Sequence, residues 1–211
     1  FGAILKIQGK SDELFMKAAN DESILMQIQP VLWLKYIEKN TENAEYVKYT
    51  SILKKSFNMN KYQEAINNHK KSEHTWFVSE YLRTIGLIVL PYLKNEVAKG
   101  TNANVMFDMM AIMSMNFDES TRINYYFEIL LTNKNISWKN KMLIIGSLRI
   151  YFKNNPKLIN KVYIDNMKLI LNNALIYLKT LNGDERSLFA ANDTDFIRRV
   201  IDEMNEKYRE Q

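Results

Sequence analysis

A chain of 211 residues with no cysteine and a net charge of +5 excludes a disulfide scaffold and any thiolate metal or redox site. Hydrophobic residues at 46% and charged residues at 25% are ordinary globular values and exclude wholesale disorder. Six Gly and three Pro are too few for the turns of a β-sandwich or a doubly wound sheet, so the expected fold is all-α with short connections.

In chain order, 11–19 reads as a short helix with Leu14, Phe15 and Ala18 inward. Asn20 or Asp21 caps the next, ILMQIQPVLWLKYIEKN, with Leu25, Ile28, Leu32, Trp33 and Tyr36 as its buried face and Pro30 as a kink or new first turn. Residues 41–57 place Tyr46, Tyr49, Ile52, Leu53 and Phe57 at helical spacing. Asn60 and Gln63 resemble a capping box opening a helix to about Lys70. The densest apolar run, SEHTWFVSEYLRTIGLIVLPYLKNEVAKG at 72–100, is the expected centre of the molecule. Ser72 is its expected N-cap, Gly100 its left-handed C-cap, and Pro91 the point where it kinks or divides.

Beyond it, helices are expected from Ala103, after an Asp118 cap, after a Ser137 cap, and after Asn155-Pro156, where Pro suits the first helical position. The last would run to Leu181 and stop at Asn182-Gly183, breaking if anywhere at 163–166. A short turn near 185–190 and an amphipathic helix from Asp193 finish the chain. The result is a single all-helical domain over 1–211 with nine or ten helices, either an orthogonal bundle or a short superhelical stack of the HEAT or armadillo sort. TIGLIVLPYLKN, at 84–95, resembles the first helix of a HEAT repeat, and no second copy aligns to it at a fixed period. The chain starts at Phe1 rather than Met, which is compatible with a longer parent, a processed form or an unseen start. Residues 1–7 are too short and too interrupted by Lys6 for a signal peptide. The run 85–93 is far below the roughly 20 residues of a membrane span. The expected location is the cytoplasm, with no membrane contact.

Charge is unevenly placed. Over 131–180 the bases are Lys134, Lys139, Lys141, Arg149, Lys153, Lys157, Lys161, Lys168 and Lys179, and Asp165 is the lone acid. That stretch is therefore at +8 and the remainder of the chain at −3. At about 100° per residue, Lys157, Lys161, Lys168 and Lys179 share a sector of roughly 40° beside Asn172, and Lys139, Arg149 and Lys153 share one of roughly 80°. Two such helices side by side would form a basic plate for an acidic protein segment or for phosphates. Trp138 and Tyr151 would add stacking if exposed. Because Lys outnumbers Arg, any nucleic-acid contact would be to backbone and weakly selective. A solvated outer face competes with both, because Lys, Asn and Ile are abundant everywhere.

Met106, Met109, Met110 and Met113 follow i, i+3, i+4, i+7 spacing, with Met115 nearby. This face reads as an adaptable groove for an apolar segment or as an irregular core. His69 and His74 lie about 140° apart on a helix, read as ordinary surface or cap histidines, and cannot converge on one metal. Asp108, Asp118 and Glu119 do not make paired carboxylates, while Glu80, Arg83 and Glu128 are candidates for a buried polar pair. No GxGxxG, Walker loop, GxSxG or HExxH is present, so no cofactor, metal or catalytic residue is assigned. In the last helix Ile197, Val200, Ile201, Met204 and Tyr208 form a stripe that either caps the domain or pairs two copies. The expected function is a non-enzymatic interaction module for a protein partner. A nucleic-acid-associated regulator and a helical enzyme with a polar interhelical pocket are the alternatives.

Overall fold

The computed structural model describes residues 11–38, 44–100 and 103–210, and every regular element among them is helical. The expectations for 1–7 lie outside the described residues, as do those for the side chains of Trp33 and Tyr36. The chain divides into two compact units. One takes the chain up to Val97 and then the helix ending at Asn116; the other runs from Phe117 and takes back 98–100.

The first unit contains α1 (Ser11–Ala19), α2 (Ile24–Glu38), α3 (Ala44–Ser56), α4 (Met59–Lys71), α5 (Thr75–Ile85), α6 (Leu90–Ala98) and α7 (Ala103–Asn116). Helix α5 is its centre, packing on α2, α3, α4 and α7 through Val78, Tyr81, Leu82 and Ile85. Within the apolar run at 72–100 only the stretch Thr75–Ile85 holds this central place in the first unit, and the run is not one helix. It divides at Gly86, whose φ of 66° and ψ of −128° suit a residue without a Cβ, and a 3₁₀ turn over Gly86–Ile88 follows. Pro91 falls in the first turn of α6, where its missing donor costs no intrahelical bond.

Ser72 ends α4 instead of starting α5. It sits in the left-handed region at φ 58°, its N–H bonds His69 O at 3.1 Å, and Glu73 N–H bonds Asn68 O at 3.0 Å. The capping box also moves: Asn58, not Asn60, caps α4 by accepting from Lys61 N–H at 3.1 Å. Helix α2 buries Ile24, Gln27, Ile28 and Val31 and leaves Leu25 and Leu32 half-buried. Its sequence is apolar on nearly every side, so periodicity did not choose the face.

The second unit contains α8 (Glu119–Thr132), α9 (Trp138–Asn154), α10 (Lys161–Leu178), α11 (Gly183–Phe189) and α12 (Asp195–Arg209). Asp118, Ser137 and Asn160 cap the first three through side-chain oxygens, accepting from Thr121, Asn140 and Tyr163 N–H. Asn155-Pro156 starts only a 3₁₀ turn, so α10 begins later than the Pro signal implied and ends at Leu178. Gly100 has a φ of 83°, and a Cβ there would run into the Asn135 carbonyl, so no other residue fits.

Helix α8 packs on α9 and α10, and α12 packs on the same two. Phe127, Phe152 and Tyr163, from α8, α9 and α10, have ring centroids 5.2–6.4 Å apart. Trp138 and Tyr177 meet at 5.8 Å toward the other ends of α9 and α10, so these helices run antiparallel. The stripe Ile197, Val200, Ile201 and Met204 is buried within this unit, while Tyr208 is exposed. Among the described residues no helix is long and apolar enough to cross a membrane.

Candidate functional site

The first place where polar chemistry concentrates is inside the first unit. His69 and Asp108 are both fully buried, which corrects the reading of His69 as a surface or cap histidine. The His69 Nε2–Asp108 Oδ2 separation is 2.7 Å, Ser79 Oγ donates to the same oxygen at 3.0 Å, and Arg83 Nη2 lies 3.2 Å from Oδ1. Arg83 Nη1 is also 3.6 Å from Glu80, so these two form a polar pair that is half-buried and not buried as expected, whereas Glu128 is exposed in the second unit. His69 is on α4, Ser79 and Arg83 on α5, and Asp108 on α7. One carboxylate thus ties three helices. Ser79 and His69 both end on Asp108 instead of on each other, so a hydroxyl is not presented to an imidazole base in the way nucleophilic catalysis requires. The cluster is a clamp.

Met106, Met109, Met110 and Met113 are buried around this clamp's helix, so they fill the interior of the first unit and open no groove. Met115 alone of the run is exposed.

In the second unit the expected basic plate splits in two. Rings of α9 and α10 meet at Trp138–Tyr177 and Phe152–Tyr163, yet on α9 Lys141 is buried and Arg149 and Lys153 line a pocket with α12. The α10 lysines Lys161, Lys168 and Lys179 are exposed and line no part of it. On α10, Lys161 and Lys168 flank Asp165 at 3.2 and 3.6 Å, and Lys179 is exposed near the C-terminal end. Lys139 and Lys157 are exposed, the latter on the 3₁₀ turn. Trp138 packs on Tyr177 and Phe189 with Lys141 Nζ 5.0 Å above it, and Tyr151 stacks on Tyr126 with Arg122 over its face. Neither ring is free to stack on a base. Burial lowers the Lys141 pKa, the direction expected for an ammonium removed from water.

Arg149 and Lys153 instead line a pocket of about 220 Å³ between α9, Ile159 and α12. Its floor is apolar, from Phe152, Ile159, Val200 and Met204, all buried. Its rim carries Arg149, Lys153, Lys207, Glu203 and Glu206. Three bases and two acids line this rim, and Lys153 is the base among them for which neither Glu203 nor Glu210 is a hydrogen-bonded partner. Arg149 is held in place: Nε and Nη2 donate to Glu203 Oε2 and Oε1 at 2.8 and 2.6 Å, and its guanidinium lies 5.5 Å from the Phe196 ring centre. Lys207 bonds Glu210 at 2.8 Å. Sequence reasoning found Arg149 and Lys153 but missed the α12 wall, about 50 positions away, because no local pattern joins the two.

The Arg149 hydrogen bonds hold the Glu203 carboxyl below the ordinary carboxylate range. A depressed acid stabilises the fold at neutral pH and stops doing so as pH falls through its folded value. Both side chains are nearly half exposed, so solvent screening limits the pair to about 0.5–1 kcal/mol. Glu203→Gln should accordingly be destabilised by that amount at neutral pH, with the deficit shrinking at a pH below the ordinary carboxylate range. Urea midpoints at the two pH values check this, and an equal deficit at both would rule out the ionic contribution.

Among the described residues, no three His, Asp or Glu side chains gather as a metal site. Comparison with known proteins gives no match: no family model, no curated protein and no solved structure aligns significantly with the chain.

Proposed function

We propose that the chain is a non-enzymatic interaction module whose α9–α12 pocket receives an apolar side chain of a protein partner flanked by carboxylates. One observation carries this reading: an apolar floor sits inside a rim in which Arg149, Lys153 and Lys207 outnumber Glu203 and Glu206. At about 220 Å³ the pocket is smaller than the roughly 300–1,000 Å³ of small-molecule sites, and suits a single Leu or Phe side chain. The Arg149–Glu203 pair preorganises one wall, which lowers the ordering cost of binding. Lys153, with no second helix holding it, supplies the attraction that steers an acidic segment.

The closed cycle of packing from α8 to α9, α12, α10 and back favours a bundle over a stack for the second unit. A homodimer through α12 loses its support, because its apolar stripe is spent inside the unit. The nucleic-acid alternative loses the stacking expected of Trp138 and Tyr151, which already pack on rings of their own chain. A chain without cysteine suits a reducing compartment, and the cytoplasm is the location this reading carries.

The test is a titration of the whole chain with the peptide acetyl-Glu-Glu-Leu-Glu-Glu-amide, followed by the Met204 methyl resonance. Saturable movement of that signal is expected, weakened severalfold by high salt and by Lys153→Glu. A signal that stays fixed at millimolar peptide sinks the reading.

A further inference from the structure

We infer that the outward face of α10 is a second docking surface, separate from the pocket, for an acidic amphipathic helix of a partner protein. Val162, Leu169 and Ile176 recur every seven residues and are 65%, 49% and 62% exposed. The same helix already buries Tyr163, Ile164, Met167, Ile170 and Ala174. Its outer face therefore needs no aliphatics to hold the fold. Three in register make a seam roughly 21 Å long at 1.5 Å per residue. Single exposed apolar residues are normal, but a line of them at heptad spacing matches the anchor pattern of helix recognition.

What borders the seam selects its occupant. Lys161, Lys168 and Lys179 follow one side at roughly 60–100° from it, and the uncharged Asn166 and Asn173 follow the other. Asp165 alone answers Lys161 and Lys168, so this side stays positive. A second copy of α10 would bring one lysine row against another, which repels. An anionic bilayer would need a broader sector with bulky residues, whereas this seam is one residue wide and bordered by Asp and Asn. A nucleic acid would meet the lysines and leave three aliphatics in water. An acidic helix satisfies both features, with Leu or Ile on the seam and Glu against the lysines.

A synthetic helix three heptads long, with Leu along one line and Glu beside it, is titrated into the full chain by fluorescence anisotropy. Saturable binding is expected, about tenfold weaker with Leu169→Glu. Lys161→Glu with Lys168→Glu should lose this peptide and gain its Lys-substituted counterpart. All three positions are exposed, and unchanged circular-dichroism melting verifies folding. Lys153→Glu should leave the affinity unchanged, so failure here is distinguishable from failure of the pocket. No binding, or equal binding of both peptides, overturns the inference. So does a concentration-dependent dimer, or adsorption to phosphatidylserine vesicles, that Leu169→Glu abolishes.

Discussion

Replacing Asp108 with Ala should cost the first unit about 3–5 kcal/mol, the largest loss expected of any polar substitution in the chain. The carboxylate is fully buried and accepts from Ser79 while facing His69 at 2.7 Å and Arg83 at 3.2 Å. Ala removes the group that α4, α5 and α7 hold in common, taking from Ser79 its acceptor and from His69 Nε2 and Arg83 the carboxylate they meet. Asp108→Asn keeps an acceptor for Ser79 and most of the volume, so it should lose less, about 1–3 kcal/mol. Urea unfolding of the two variants decides the matter. An Ala variant within about 1 kcal/mol of the parent would mean that the clamp contributes specificity or nothing, as buried ionic groups sometimes do.

That clamp shows where sequence reading stops. Helix positions came through because caps and periodicity are local: Asp118, Ser137 and the Ala103 start all stand where the residues put them. The run at 72–100 supplies the central helix of the first unit in its 75–85 part, yet its division was assigned to Pro91 when Gly86 makes it. A Pro is tolerated once it lies in a first turn, and what that turn follows cannot be read from the Pro itself. His69 and Asp108 are 39 positions apart, so no spacing rule connects them. A usable signal did exist. Asp108 stands three residues after Val105 and four before Ile112, and an acid on that apolar side is stable only if buried partners meet it.

The candidate site was legible in the same partial way. Helical angle put Arg149 and Lys153 on one face, and they do share a pocket. It could not say that α12 supplies the facing wall, which leaves the α10 lysines outside the pocket. Composition also hid the seam on α10: Val162, Leu169 and Ile176 look like core residues until the buried set Tyr163, Met167, Ile170 and Ala174 claims the opposite face. A helix with apolar residues on both sides has two candidate interiors, and only the packing of its neighbours decides between them.

Phe152→Ala should destabilise the second unit by about 3–5 kcal/mol, the range for deleting a buried ring. Its ring lies 6.4 Å from Phe127 and 5.8 Å from Tyr163, so the deletion opens a void where α8, α9 and α10 meet. The same ring floors the α9–α12 pocket, and the void would join it. Phe152→Leu retains most of the volume and should cost less than about 1.5 kcal/mol. It should also keep the acidic peptide bound, because an apolar floor remains, whereas the Ala variant should release it. Calorimetry adds a readout of the two compact units. Phe152→Ala is expected to shift one transition and Asp108→Ala another. A single transition moved equally by both would make the chain one cooperative domain, and the clamp and the ring cluster would then stabilise the same fold from two places.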